Sequence, residues 1–384
     1  MNHGPGPRPK PGACLAVLLL GLVIIESALR AYYDTRRALE RPPAFAARIH
    51  ESFYTDLRGC MRIKPHARGW HKAYDAPGDV MVEVNSQGIR GPELMSSPAK
   101  RFVFIGDSIT FDGGVVWEDS FPAIVQRKFR DEGLEGWETV NLGMTDTGVV
   151  QYLAKVEHHG LALKPDMVVL CLYLNDSRPP QGFIGQDGQK GWEWRLKGSL
   201  LHRLYVVKAV HYWMRYFMVT HEPGLKARLD WVPRYVKKAY HEDSSDWKKL
   251  VEEARYDWGA AWTEESWRVI AEHAGKIKKL CDSRGVLLGI VLFPVSAQVY
   301  MERLFDGADF PQRRAASMAR DLGVPFLDLL PALRPHAARR LYCDHCHLTK
   351  EGNAVVAEIL HRHLRSLFPE GRRPLHPASP LPHD

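Results

Sequence analysis

The chain has 384 residues, of which 45% are hydrophobic and 25% charged, and this balance excludes an intrinsically disordered protein. Six cysteines in such a length exclude a small disulfide scaffold. The net charge of +7 and the pI of about 9.0 are compatible with an anionic membrane surface or with nucleic acid. The charges are dispersed and no nucleic-acid-binding motif accompanies them, so we expect no nucleic-acid partner.

Residues 1–34 are predicted to form an uncleaved signal anchor. Residues 13–25 are continuously apolar, a run that is shorter than the about 20 residues of a spanning helix and typical of a signal-peptide core. Apolar and tyrosine residues beyond Glu26 can extend this run into an interfacial belt. No small-x-small cleavage site follows, and a cleaved signal is the alternative. We therefore expect a single-pass membrane protein with an extracytoplasmic catalytic domain.

A connecting region, residues 35–100, follows the predicted anchor. Within it, residues 80–90 alternate like a strand and turn at residues 85–88. Residues 101–368 alternate between strands and helices, which predicts an α/β domain with a parallel sheet covered on both faces. The predicted strands are residues 102–105, 139–142, 167–172, 286–293 and 324–327. Four helices are predicted between and after these strands. The first is capped by Asp119 or Ser120, the second and third cover residues 151–159 and 264–284, and the last is capped by Thr349.

A long insertion, residues 177–263, interrupts this alternation and is basic and aromatic. Its tryptophans are Trp192, Trp194, Trp213, Trp231, Trp247, Trp258 and Trp262. The composition is compatible with a substrate lid, with a surface that rests on the membrane interface, or with a small helical subdomain that has its own core. The proline-rich tail, residues 369–384, is predicted to be disordered.

Five residues with catalytic potential follow the carboxyl ends of the predicted strands. Ser108 follows the first strand, Gly143 the second and Asn175 the third, while Asp344 and His347 follow the fifth. Ligands of an open α/β sheet bind outside the carboxyl ends of its strands, so one crevice can collect all five residues.

Together these residues can perform acyl transfer. A serine hydroxyl needs a base to become a nucleophile, and His347 can act as that base for Ser108. Asp344 can accept a hydrogen bond from the other ring nitrogen and fix the tautomer. The backbone N–H groups of Ser108 and Gly143 and the side-chain amide of Asn175 can stabilise the developing oxyanion. Glycine suits position 143 because backbone can approach the substrate closely there.

These motifs resemble those of the SGNH (GDSL-type) hydrolase superfamily. The matching blocks are GDS at residues 106–108, the glycine of NLG at Gly143, ND at residues 175–176 and D-x-x-H at residues 344–347. They occur in the family's order, and the resemblance covers residues 80–367. It implies a three-layer α/β/α, flavodoxin-like parallel sheet and ester chemistry without a metal or other cofactor.

Two positions depart from the pattern of that superfamily. Asp112 and Tyr173 stand where many relatives have glycine. A carboxylate near the nucleophile and a bulky ring near the oxyanion site would narrow the pocket and change the choice of substrate.

The segment CDHCH, residues 343–347, also matches the c-type haem attachment pattern C-x-x-C-H. In a haem protein His347 would be an axial iron ligand, and Cys343 and Cys346 would be thioether anchors. Zinc ligation by both cysteines with nearby histidines is possible by spacing. A Cys343–Cys346 disulfide is compatible with an extracytoplasmic domain.

The sequence therefore predicts a membrane-anchored serine esterase that cleaves O-acyl ester bonds of a small molecule, glycan or lipid through an acyl-enzyme. An O-acyltransferase of envelope glycans or lipids would use the same residues. The alternatives from other classes are a c-type haem protein and a catalytically silent glycan-binding module.

Overall fold

The computed structural model describes residues 19–32, 49–56, 58–71, 79–177, 204–207, 210, 247–255, 257–301 and 306–369. The chain divides into two compact units, one of residues 1–46 and 187–227 and one of residues 47–186 and 228–384. The predicted tail beyond residue 369 and most of the insertion lie outside the described residues. Four of the insertion's tryptophans also lie outside the described residues, namely Trp192, Trp194, Trp213 and Trp231.

In the first unit, residues 19–32 are helical. The apolar side chains of this helix that are most exposed are Leu19, Leu20, Leu22, Val23, Ile24 and Ile25. Glu26 accepts a hydrogen bond from Arg30 and two more from the backbone N–H groups of Tyr205 and Val206. Among the described helices, none combines the length and the apolar character of a membrane span. The membrane anchor stays a prediction.

The described strands all belong to the second unit. In chain order they are β1 Phe53–Thr55, β2 Met61–Ile63, β3 Arg68–His71, β4 Val80–Glu83, β5 Lys100–Ile105, β6 Trp137–Asn141, β7 Met167–Leu172, β8 Leu287–Leu292 and β9 Phe326–Asp328. Strands β1 and β2 pair antiparallel, as do β3 and β4. The other five form one parallel sheet in the order β6-β5-β7-β8-β9.

The central strands of this sheet are buried on both faces. Every residue of β7 and β8 is buried, and only Lys100 of β5 is partly exposed. Continuous apolar runs of this kind form strands covered by helices on each side, which is the reason that the alternation predicted a parallel sheet. The structure confirms the predicted parallel α/β sheet.

The helices of the second unit are Ser108–Phe111, Phe121–Asp131, Val149–Lys155, Trp247–Glu253, Glu264–Asp282, Ser296–Tyr300, Phe310–Asp321, Leu329–Leu333 and Lys350–Leu367, as far as the described residues show. Helix 121–131 packs against helix 350–367, and helix 149–155 packs against helix 264–282. Strand β6 lies on one side of β5 and β7 to β9 lie on the other. Right-handed connections therefore place the two helix pairs on opposite faces of the sheet, giving three layers.

Side chains at the helix starts follow the predictions in part. Thr349 Oγ1 accepts a hydrogen bond from the Gly352 N–H at 3.0 Å, which confirms the predicted cap of the last helix. Ser120 occupies the N-cap position of helix 121–131, as predicted, but its hydroxyl donates to the Trp117 carbonyl and makes no capping hydrogen bond. Asn353 Oδ1 accepts the N–H of Phe121 at 2.9 Å and takes over the capping role from the other end of the chain.

The described tryptophans of the insertion belong to the core of the α/β domain. Trp258 is fully buried and Trp247 is 3% exposed, and these two rings pack with each other and with Trp262 at ring-centroid distances of 5.5 to 5.9 Å. The C-terminal end of the insertion is therefore an integral part of the domain, in keeping with the interpretation that aromatic residues form core.

Candidate active site

Ser108 is the first residue of a short helix, Ser108–Phe111, that begins directly after β5. Asp107 Oδ1 accepts a hydrogen bond from the Ile109 N–H at 2.9 Å and caps this helix. A Cβ at Gly106 would lie 2.1 Å from Thr110 Oγ1, so this tight turn from strand to helix requires glycine. The turn fixes the position of the serine at the carboxyl end of β5.

His347 joins Ser108 to Asp344 through its two ring nitrogens. Its Nε2 lies 3.0 Å from Ser108 Oγ, and its Nδ1 lies 2.7 Å from Asp344 Oδ2. The other carboxylate oxygen of Asp344 accepts hydrogen bonds from the backbone N–H groups of Cys346 and His347. Three of the five predicted site residues therefore form one hydrogen-bonded chain.

The charges in this chain favour one tautomer of His347. Burial alone would raise the pKa of Asp344, but the charge of His347 and the hydrogen bonds from it hold that pKa well below its usual range. An ionised Asp344 accepts a hydrogen bond from Nδ1–H, which leaves Nε2 to accept a hydrogen bond from the Ser108 hydroxyl. This arrangement suits removal of the serine proton.

Two further carboxylates, those of Asp107 and Asp176, are buried and accept hydrogen bonds from backbone N–H groups. Asp176 accepts hydrogen bonds from the Tyr152 hydroxyl at 2.6 Å and from the Tyr173 N–H at 2.9 Å. Burial raises the pKa of Asp176 and the pKa of Asp107, and the charge of Asp107 raises the pKa of Asp176 further. Both residues hold backbone in place around the serine.

Gly143 has a different environment from the one predicted. Its N–H donates to Asn141 Oδ1 at 2.8 Å, and a Cβ at this position would lie 2.2 Å from the backbone nitrogen of Phe111. Glycine is therefore required by the close approach of the Ser108 helix, and not only by a substrate as the sequence analysis assumed. The Gly143 N–H has a single hydrogen, and Asn141 Oδ1 accepts it. In this arrangement the Gly143 N–H therefore cannot donate to an oxyanion.

Asn175 is held by a residue that the sequence analysis missed. Its Nδ2 donates to Asp257 Oδ1 at 2.6 Å, and the amide keeps a second hydrogen for another acceptor. Asp257 Oδ2 lies 3.5 Å from Nε2 of His345, which is buried beside His347. No motif marks Asp257, because it lies 82 positions after Asn175, at the end of the insertion.

The two departures from the superfamily pattern lie in buried positions. Asp112 ends the Ser108 helix at a φ of +58°, and its Oδ1 accepts a hydrogen bond from Asn353 Nδ2 at 3.3 Å. Tyr173 is 1% exposed and belongs to the main hydrophobic core. Both side chains are buried within the domain, and the narrowing of the pocket stays a prediction.

The CDHCH segment is used in a way that differs from a haem site. Both ring nitrogens of His347 have hydrogen-bond partners, so neither is available as an axial ligand in this arrangement. Cys343 and Cys346 form no disulfide with each other. Cys346 Sγ lies 3.3 Å from His347 Nδ1, whereas the Cys343 thiol donates to the Leu348 carbonyl.

Within the described residues, one group of three side chains has atoms close enough together to hold a metal ion. Asp344, Cys346 and His347 bring ligand-type atoms within 4.8 Å of one another. Cys343, which the sequence spacing offered as a zinc ligand, is not part of this group. Since the other ligands are the carboxylate and imidazole that bond to each other, a metal would compete with the Ser108–His347–Asp344 chain.

Comparison with known proteins identifies the class of this chain. The model of the GDSL-like lipase/acylhydrolase family matches residues 104–355, which include all five predicted site residues. The chain belongs to this family and is a carboxylic ester hydrolase. No curated protein matches the chain in a sequence search.

Several solved structures are similar to the chain at low sequence identity. An acetylxylan esterase from Geobacillus stearothermophilus is 14% identical with a TM-score of 0.41, covering 71% of this chain and 96% of its own. The acetyl xylan esterase AlAXEase is 15% identical with a TM-score of 0.38, covering 68% and 97%. An α/β hydrolase from the metagenome of Lake Arreo, Spain, is 12% identical with a TM-score of 0.41, covering 70% and 95%.

Proposed function

We propose that this chain is a serine esterase in which Ser108 is the nucleophile, His347 the general acid and base, and Asp344 the residue that orients the imidazole. The observation that supports it is the unbroken hydrogen-bonded chain Ser108 Oγ, His347 Nε2, His347 Nδ1, Asp344 Oδ2, with distances of 3.0 and 2.7 Å. Nucleophile, base and orienting group within such reach are the signature of an activated serine.

The proposed reaction has two steps. Ser108 Oγ attacks the ester carbonyl carbon while its proton passes to His347 Nε2. The carbonyl oxygen becomes an oxyanion, and on its collapse the alcohol leaves with the proton from Nε2. Water then attacks the carbonyl carbon of the acyl-enzyme and gives a proton to the same nitrogen. The bond from that carbon to Ser108 Oγ breaks, Oγ takes the proton back from Nε2, and the acid is released. A transferase would place an acceptor hydroxyl where the water attacks.

The oxyanion needs donors that are aimed at its charge. The backbone N–H of Ser108, at the start of its helix, and the second amide hydrogen of Asn175 are the proposed donors. The Gly143 N–H can join them only when the Asn141 side chain gives up its hydrogen bond.

Labelling with a fluorophosphonate tests this proposal. We expect the full chain to form a covalent adduct on Ser108, which mass spectrometry of the digested protein would locate. The adduct is expected to disappear in Ser108→Ala and to form far more slowly in His347→Ala, because the hydroxyl then has no base. Ser283→Ala, which removes an exposed serine, provides the matched control and is expected to label like the wild type.

Labelling at another residue would contradict the nucleophile assignment. Equally fast labelling of Ser108 in His347→Ala would also contradict the proposal, because His347 would then not be the group that activates the serine. Circular dichroism of each variant excludes loss of folding as the cause.

The substrate we propose is an O-acyl ester of a glycan, a lipid or a small molecule. The family supplies the ester chemistry, and the basic, aromatic composition of residues 177–263 supports a glycan or lipid. Transfer to an acceptor is distinguished from hydrolysis by mass spectrometry of the products when an alcohol or glycan is added.

We also propose that the N-terminal segment anchors the chain to a membrane, with the catalytic unit on the extracytoplasmic side. The apolar run 13–25 and the exposed apolar side chains of helix 19–32 support this proposal. We expect the full chain to sediment with membranes and to resist alkaline carbonate. Leu20→Lys with Ile24→Lys is expected to release it, whereas Val116→Lys, an exposed apolar position of the other unit, is not. Carbonate release of the unaltered chain would contradict an anchor.

A further inference from the structure

Asp257 contacts Asn175, the side-chain donor that we propose for the oxyanion. Asn175 Nδ2 donates to Asp257 Oδ1 at 2.6 Å, and both side chains are largely but not completely buried. We propose that Asp257 is a positioning residue that holds the Asn175 amide in the orientation that stabilises the oxyanion. This inference rests on the proposed serine esterase function and adds a residue to it.

The chemistry of a carboxylate decides which way the amide faces. An amide side chain can present either its oxygen or its nitrogen to a neighbour, because the two ends have nearly the same shape. An ionised carboxylate only accepts hydrogen bonds, so Asp257 admits the nitrogen end of Asn175 and rejects the oxygen end. One amide hydrogen is used by Asp257, and the other is left in a fixed direction. Without Asp257 the amide could turn its oxygen toward the oxyanion and repel it.

His345 contacts the second oxygen of the Asp257 carboxylate. His345 Nε2 lies 3.5 Å from Asp257 Oδ2, and the imidazole is 8% exposed. Asn175 uses Oδ1, so each oxygen of the carboxylate has a partner and the carboxylate is held at both oxygens.

The position of Asp257 is fixed by the core. Its N–H donates to the Ala254 carbonyl, and its own carbonyl accepts the N–H of Ala260, so the backbone on both sides is turned and bonded. The next residue, Trp258, is fully buried against Trp247 and Trp262. A side chain on such an anchored turn is well suited to hold another side chain still.

Steady-state kinetics of the full chain on an activated acetyl ester test the inference. We expect Asp257→Ala to lower kcat about tenfold to a hundredfold with KM changed less than about twofold, because only the transition state uses the oriented amide. Asp257→Asn keeps an acceptor oxygen and is expected to retain more activity than the alanine variant. Glu252→Gln, an exposed acid in the preceding helix, is the control and is expected to match the wild type.

The double variant separates positioning from a merely structural role. Asn175→Ala alone is expected to lower kcat about a hundredfold to a thousandfold, as for loss of one oxyanion donor. Asp257→Ala is expected to cause little further loss in the Asn175→Ala background, because the residue through which it acts is already absent. Equal losses in both backgrounds, or wild-type kcat in Asp257→Ala, would overturn the inference.

Two outcomes distinguish failure of this inference from failure of the proposed function. If Ser108→Ala keeps its activity on the same ester, the proposed function fails and Asp257 has no oxyanion donor to position. If Ser108→Ala is inactive while both Asp257 variants are unchanged, the serine esterase stands and the positioning role is wrong. Asp257→Asn preserves the shape of the side chain, so it gives an answer even if Asp257→Ala does not fold.

Discussion

Ser108→Ala is expected to reduce kcat for ester hydrolysis by about 10⁴-fold to 10⁶-fold, the range found when a nucleophilic serine or its base is removed. His347→Ala is expected to cause a loss of similar size, since Oγ at 3.0 Å from Nε2 would lose its proton acceptor. The double variant is expected to be no slower than either single variant, because the two residues act in one step. Initial rates on an activated acetyl ester measure all three.

A matched set of variants makes this prediction specific. Asp344→Asn retains the side-chain shape but removes the charge that fixes the His347 tautomer, and we expect a loss of about 10⁴-fold. Ser283→Ala changes an exposed serine at the C-terminal end of helix 264–282 and is expected to leave kcat unaltered. Multiplicative losses in the Ser108, His347 double variant would show that the two residues act independently, contrary to the proposed mechanism.

The second large effect is expected on the free energy of unfolding and comes from the ionisation of Asp112. Burial raises the pKa of Asp112 to about 7, with the charge of Arg90 and the hydrogen bond from Asn353 opposing the shift. The unfolded chain ionises this group near pH 4, whereas the folded chain keeps its proton up to about pH 7. The unfolded state therefore binds fewer protons between these pH values, and the free energy of unfolding falls as the pH rises through this range.

Asp112→Asn is expected to remove this loss of stability. Asparagine tolerates the φ of +58° and can still accept a hydrogen bond from Asn353, but it does not ionise. We expect the free energy of unfolding to change little at pH 4 and to increase by up to about 4 kcal/mol at pH 8, the equivalent of the pKa difference. Denaturant unfolding at a series of pH values measures this difference.

Asp146→Asn is the matched control for that measurement. Asp146 has a φ of +57°, nearly the same backbone conformation, but its side chain is exposed. Its replacement is expected to shift stability equally at pH 4 and pH 8. A pH-independent effect of Asp112→Asn, parallel to that of the control, would mean that Asp112 does not change its protonation between these pH values.

The strands of the sheet and three site residues could be predicted because local sequence determines them. Buried parallel strands must be continuously apolar, so β7 was predicted with its observed bounds and β5 to within two residues. The topology then brings Ser108 and His347 to the same edge of the sheet without any knowledge of packing. Thr349 was predicted as a cap because its hydroxyl serves a backbone group only three residues away.

The remaining features depend on contacts between distant segments, which a single sequence does not display. The hydrogen bond of Gly143 to Asn141 and its contact with Phe111 follow from how the second loop meets the Ser108 helix. Asn353 replaces Ser120 as the cap of helix 121–131 across 232 positions. Asp257 reaches Asn175 only because the tryptophans beside it enter the domain core.

The nucleophile and the base of the proposed mechanism are 239 positions apart, and Asn353 ties the same two regions together. During synthesis the ribosome makes β5 and the Ser108 helix long before it makes residue 347. The serine has no proton acceptor until then, and contacts between such distant segments form late in folding. If the proposed mechanism holds, a nascent chain that lacks residue 347 is inert toward esters, and hydrolytic activity begins only when these two regions have come together.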